Sequence, residues 1–207
     1  MDIAVKGITE GQPIPEKFAF GVYNPVDHME LGNNLNPEVT WSGIPEGTKS
    51  FVVMIKDPDV PSVADDVNQE GKTVSKEIPR VDFYHWLLVD VPPSVNRIEE
   101  GQVSSEVIPG GKKPWSDSLG KNGINDYTDF LAGSAELAGT YAGYDGPCPP
   151  WNDEIVHRYI FTVFALDTDR LDLGDEFRGA DVEKAMDGHV LDDASVMATY
   201  TLNPDLR

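Results

Sequence analysis

The chain has 207 residues, with 36 Asp+Glu against 16 Lys+Arg and a formal net charge of −20. That balance excludes nonspecific nucleic-acid binding, which needs clustered Lys and Arg, and makes an anionic membrane surface an equally poor partner. The single cysteine, Cys148, excludes an internal disulfide and any Cys-rich zinc module.

No run approaches the roughly 18 apolar residues of a membrane span, and residues 1–6 do not read as a signal peptide. The expectation is a cytoplasmic protein that is not an integral membrane protein. The acidic excess fits either a salt-adapted source or an ordinary acidic protein.

In chain order, residues 3–5, 18–20 and 39–41 are weak strand candidates. Residues 51–55 form a strong one, stopped by Asp57-Pro58, and 83–91 a second, stopped by Pro92-Pro93. A third spans 159–166. All three are nearly continuously apolar, as strands covered on both faces are. Between them, 62–79 is polar and 99–150 is rich in Gly and Pro, with a weak short helix at 132–139. Loops of such length are functional or mobile more often than idle. A helix is predicted over 181–187, with Val182, Ala185 and Met186 on one side and Gly188 closing it. A further turn at 189–194 precedes a strand at 196–202. Nothing in the composition divides the chain, so 1–207 reads as one mostly-β domain with minor helices near the C-terminus.

Several chemistries lack their residues. There is no Gly-x-Ser-x-Gly elbow, no His-Glu-x-x-His helix and no Gly-x-Gly-x-x-Gly turn. Gly71-Lys72-Thr73 ends like a phosphate-binding loop, but Asp66 stands where its first glycine belongs. No metal or organic cofactor is implied. What remains are ionisable groups set beside apolar strands: Asp57-Pro58-Asp59-Val60-Pro61, then His85 among aromatic residues. Gly146-Pro147-Cys148-Pro149-Pro150 follows, and after it His157-Arg158-Tyr159. Taken alone, His85 reads as a hydrogen-bonded core histidine and Asp57 as a turn cap. His157 and Tyr159 alternate along a strand and share a face, which sends Arg158 the other way, toward a structural salt bridge. Cys148 reads as a small unreactive residue.

In that order, these segments resemble the phosphatidylethanolamine-binding protein family, in its bacterial and archaeal Raf-kinase-inhibitor-like branch. Tyr84-His85-Trp86, 161–167 and Gly188-His189-Val190-Leu191 carry the likeness further. The resemblance implies an antiparallel β-sandwich with a small pocket at one end for phosphate, a phospholipid headgroup or a carboxylate. It implies that Asp57 forms the wall, that His85, His157 and Tyr159 line it as donors, and that Gly146 and Pro150 form the rim. Asp59 and Pro61 shape the loop. Asp57 beside an anion is costly, so it is expected to act through a histidine or to meet a headgroup amine. Affinity should rise as the pH falls through the histidine range near 6.5. The loops at 62–79 and 128–142 are longer than the family pattern and, by the resemblance, lie near the pocket mouth. Residues 151–154 replace a smaller spacer.

The function expected is a non-catalytic binding or regulatory protein. By resemblance, it includes inhibition of a kinase or protease target. The alternative is a small hydrolase or lyase using Asp57 and His85 as an acid/base pair on a phosphoryl or carboxyl substrate.

Overall fold

The computed structural model describes residues 1–207. Eleven strands carry the architecture: β1 (Asp2–Val5), β2 (Gly21–Asn24), β3 (His28–Leu31), β4 (Val39–Ser42), β5 (Ser50–Pro61), β6 (Arg80–Val91), β7 (Arg97–Ile98), β8 (Trp115–Asp117), β9 (Gly120–Asn122), β10 (His157–Leu166) and β11 (Val190–Tyr200). Two short helices accompany them, α1 (Tyr127–Phe130) and α2 (Gly179–Met186). The large sheet runs β11-β10-β5-β6-β9-β8, the smaller one β1-β4-β7, and β2 pairs with β3 as a hairpin. All of these pairings are antiparallel.

The large sheet is apolar on both faces, which is why its central strands read as continuous hydrophobic runs. On one face Phe51, Val53, Ile55, Trp86, Leu88, Phe161 and Val163 pack with Val5, Val39, Trp41 and Ile98 of the smaller sheet. On the other face Val52, Met54, Leu87 and Val89 meet Leu171, Phe177 and, from α2, Val182 and Met186. Successive residues of a strand point to opposite faces, so one strand serves two cores. Burying the layers at about 25 cal/mol per Å² of apolar surface is the main favourable term in holding them together.

Four expectations differ from what is observed. The strand predicted over 51–55 does not stop at Asp57-Pro58. It continues to Pro61 through register shifts between Ile55 and Lys56 and between Asp57 and Val60. At such bulges a proline is tolerated because the ladder is already broken. Residues 18–20 form no strand. A 3-10 turn over Glu16–Phe18 leads into a buried segment, where the amides of Phe20 and Gly21 donate to the Pro147 carbonyl. Residues 132–139 carry turns rather than a helix; the helical turn comes earlier, at α1. Residues 190–194 belong to β11, since the chain leaves α2 at Gly188 (φ 78°) and pairs at once with β10. The helix predicted over 181–187 is α2, one to two residues earlier at each end.

Candidate functional site

The bulged end of β5, the start of β10 and the middle of β6 converge on one cavity. The shift between Asp57 and Val60 sets Asp57 on the cavity wall, 1% exposed, while the Asp59 amide donates to its Oδ1 at 2.8 Å. Its Oδ2 accepts from His157 Nδ1 at 2.7 Å. The other ring nitrogen, Nε2, donates to Asp153 Oδ2 at 3.1 Å. Arg80 in turn grips Asp153 with Nη1 to Oδ2 at 2.6 Å and Nη2 to Oδ1 at 3.1 Å. Burial by itself would lower the His157 pKa, yet the hydrogen bonds to Asp153 and Asp57 outweigh it and raise it to about 9. The ring is therefore an imidazolium at neutral pH, with both N–H groups committed to carboxylates.

Asp59 faces away from this chain of contacts. Its carboxylate takes the forked guanidinium of Arg158, Nε and Nη2 each at 2.8 Å, and the Arg158 amide at 2.9 Å. Burial would raise the Asp59 pKa, but the Arg158 bonds prevail and hold it below the usual carboxylate range. Arg158 thus makes the salt bridge that strand alternation predicts.

His85 is 3% exposed on β6, with Nδ1 2.9 Å from the main-chain oxygen of Asp145. Aromatic rings surround it: Phe83 at 4.8 Å, Tyr159 at 5.1 Å and Tyr127 at 5.5 Å between centroids. Burial pushes its pKa down to about 4, against the opposing field of Asp57. Tyr159, 1% exposed, has a buried hydroxyl with no hydrogen-bond partner. Burial, reinforced by Asp57, holds that phenol well above its ordinary pKa.

The cavity these groups line has a volume of about 70 Å³. One water needs roughly 10–15 Å³ on this scale, so the space suits a group of about five heavy atoms. Asp57, Pro61, His85, Pro150, His157 and Tyr159 all lie on its wall. Gly146 does not. It is buried behind the wall, where a Cβ would collide with the carbonyl oxygen of Phe18, while its own amide donates to Asn34 Oδ1 at 2.8 Å. Its place is set by close backbone packing rather than by the rim. His157 is also corrected: it lines the cavity, but both its donors are consumed by Asp57 and Asp153, so it has none to offer a ligand. A histidine step near pH 6.5 has no group to carry it, since the two rings are displaced to about 4 and about 9.

Other wall residues were not foreseen from the sequence. Tyr127 and Phe130 of α1 and Phe83 of β6 form an aromatic side, and Ala64 and Val67 come from the 62–79 loop. That loop is pinned by Asn152, whose Nδ2 donates to the carbonyls of Asp66 at 2.8 Å and Lys72 at 3.1 Å. The Asn68 amide donates to Asn152 Oδ1 at 3.0 Å. Asp153 falls in the 151–154 spacer, where its place four residues before His157 is the one signal the sequence carries for its role. Cys148 lines the cavity with its thiol pushed up to about 12 by burial, far from a reactive thiolate.

An antiparallel two-sheet sandwich closing one end over a small, mostly apolar cavity is the frame of a small-ligand-binding protein. The phosphatidylethanolamine-binding protein model matches residues 5–201, and the chain belongs to that family. A UPF0098 protein of Methanothermobacter thermautotrophicus is 32% identical over 169 residues, covering 82% of this chain and 84% of its own length. Escherichia coli UPF0098 protein YbhB is 29% identical over 202 residues, 97% of this chain and all of that one. Among solved structures, Escherichia coli YbcL, described as a new member of the mammalian PEBP family, superposes with a TM-score of 0.67 at 25% identity, covering 97% of both chains. The Chlamydia trachomatis homologue CT736 gives 0.62 at 25% identity, covering 96% of this chain and 95% of that one. Family membership supports a ligand-binding role. No helix is long and apolar enough to cross a membrane.

Proposed function

We propose that residues 1–207 act as one non-catalytic binding unit in the cytoplasm, whose cavity takes a small phosphate- or carboxylate-bearing ligand. The observation that carries this is the cavity of about 70 Å³ itself, on whose wall Asp57, His85, His157 and Tyr159 come together. Pro61 and Pro150 keep the wall rigid, and Asp57 and His157 hold each other in place; Asp59, through Arg158, ties β5 to β10. Gly146 contributes by letting its segment pack closely against Phe18. A phospholipid headgroup is one source of such a ligand, and a phosphorylated or carboxylate-bearing protein segment is another. A kinase or protease target would then dock on the loops 62–79 and 128–142.

The hydrolytic alternative is disfavoured by one feature. Asp57 is bonded to His157 and to the Asp59 amide, so it is not poised as the acid/base partner of His85. The test is titration calorimetry with phosphate, phosphoethanolamine and acetate on wild type and His85→Ala, beside a turnover assay on phosphoesters and carboxyl esters. Saturable binding without turnover, weakened in the His85→Ala variant, is the expected result. Turnover abolished by Asp57→Asn would instead establish the hydrolase.

A further inference from the structure

Behind the cavity wall, Asp145 is a buried carboxylate without a salt bridge. It is 2% exposed, and its hydrogen bonds come from two fully buried asparagines: Asn34 Nδ2 to Oδ1 at 2.8 Å and Asn125 Nδ2 to Oδ2 at 2.7 Å. The one positive charge that acts on it, Lys112, turns its ammonium to the Val103 carbonyl, 3.4 Å away. Burial pushes the Asp145 pKa up to about 6, against Lys112 and both asparagines, so the group is ionised at pH 7.5. A buried charge with no ion partner is costly, and groups of that kind concentrate at functional sites.

Both asparagines are fixed in orientation. The Gly146 amide, which only donates, meets Asn34 Oδ1 at 2.8 Å, and the Glu106 carbonyl, which only accepts, meets Asn34 Nδ2 at 3.3 Å. Likewise the Tyr127 amide donates to Asn125 Oδ1 at 3.1 Å, and the Gly143 carbonyl accepts from its Nδ2 at 3.1 Å. Turning either side chain over would break these bonds, so each presents N–H to Asp145, which must accept on both oxygens. The main chain of Asp145 reaches the cavity wall. Its amide donates to the His85 carbonyl at 3.0 Å, and its carbonyl accepts from His85 Nδ1 at 2.9 Å. The Tyr127 phenol donates to the following carbonyl, that of Gly146, at 2.6 Å. Two wall side chains, His85 and Tyr127, are thereby held by the segment that Asp145 anchors.

We propose that Asp145 is a positioning residue for the cavity: held at both oxygens by Asn34 and Asn125, its carboxylate fixes residues 143–146 and, through them, the poses of His85 and Tyr127. This rests on the reading of the cavity as a site for phosphate- or carboxylate-bearing ligands and adds the device that keeps its wall in shape. Asp145 itself does not line the cavity. Asp145→Asn keeps the shape of the side chain but sets an N–H against one of the two fixed N–H groups, which displaces the segment. Asn34→Gly removes one clamp and keeps the left-handed backbone there (φ 53°), which glycine adopts freely.

The experiment compares both variants with wild type at pH 7.5 by two measurements. Proton–nitrogen correlation spectra of protein carrying isotope-labelled histidine follow the His85 Nδ1–H, and calorimetry follows sodium phosphate. The expected result is a displaced or split His85 signal in each variant, an unchanged His157 signal, and about tenfold weaker phosphate binding. His157 serves as the control, since its ring is held by Asp57 and Asp153 and not by this network. An unchanged His85 signal in either folded variant overturns the proposal, whatever the affinity. A displaced ring with phosphate affinity unchanged overturns it too, because the pose would not matter to the ligand. Both histidine signals moving together, or loss of the folded state in both variants, also overturns it, since the network would then support the whole fold. No phosphate binding by the wild type overturns the cavity reading, while the ring signal still decides the role of Asp145.

Discussion

His157 Nδ1 and Asp57 Oδ2 lie 2.7 Å apart across two paired strands, and neither side chain is more than 2% exposed. The pair joins the bulged end of β5 to the first residue of β10, and Asp153 completes it on the ring's other nitrogen. Two carboxylates against one cationic ring leave an excess negative charge, which Arg80 offsets at Asp153. Removing one partner of such a buried set costs far more than an exposed pair is worth.

The pair makes stability depend on pH in a defined direction. The folded-state pKa of His157, about 9, lies above its ordinary value of 6.5. Its contribution is therefore complete below about 6.5 and is lost as the pH rises through 9. His157→Gln is expected to destabilise by roughly 2–3 kcal/mol at pH 6, with the gap to wild type shrinking toward pH 10. Urea unfolding at pH 6, 8 and 10 reads this out, and a gap constant across that range would contradict the ion pair.

Tyr159→Phe separates binding from folding. The hydroxyl has no partner to lose, so melting temperature should stay level or rise slightly, by about 0–1 kcal/mol in stability. Phosphate affinity should stay about level, because the hydroxyl is sealed from the cavity. Loss of stability would show that Asp57 satisfies the hydroxyl in the free protein.

Gly146→Ala tests the close approach behind the wall. A Cβ there meets the Phe18 carbonyl oxygen, which is backbone and cannot swing aside. The expected cost is about 3 kcal/mol, seen as an earlier thermal transition. An undisturbed melting curve would mean that the segment has room to move.

Asn152→Ala should loosen the loop that supplies Ala64 and Val67 to the cavity. Its side chain holds Asp66, Lys72 and Asn68 main-chain groups, and losing them frees the loop locally. Faster amide hydrogen exchange over 64–74, with the rest of the chain unchanged, is the expected signature. Exchange rising equally in β5 and β10 would instead point to global destabilisation.

The central strands were legible in the sequence because β5, β6 and β10, buried on both faces, read as short apolar runs rich in β-branched and aromatic residues and bounded by turn residues. The hairpin of β2 and β3 was not legible. Its residues are mostly half-buried or exposed, and their composition carries no strand signal. Residues 18–20 were misleading for the opposite reason. They are as apolar as a strand, but the amides of Phe20 and Gly21 are satisfied by one turn carbonyl, Pro147.

At the site, residue types and strand alternation determined that Asp57, His85, His157 and Tyr159 belong to chemistry-bearing segments and that Arg158 faces away from His157 and Tyr159. What each histidine does was decided mainly by tertiary contacts with residues distant in the chain, Asp153 on His157 being the local exception. Asp57 lies a hundred positions from His157, and Asp145 sixty from His85. Two carboxylates make one ring a committed cation, while a carbonyl and an aromatic enclosure hold the other neutral. Hydrogen-bonding role and charge depend on the groups within a few ångströms of each nitrogen, and folding alone brings those groups there.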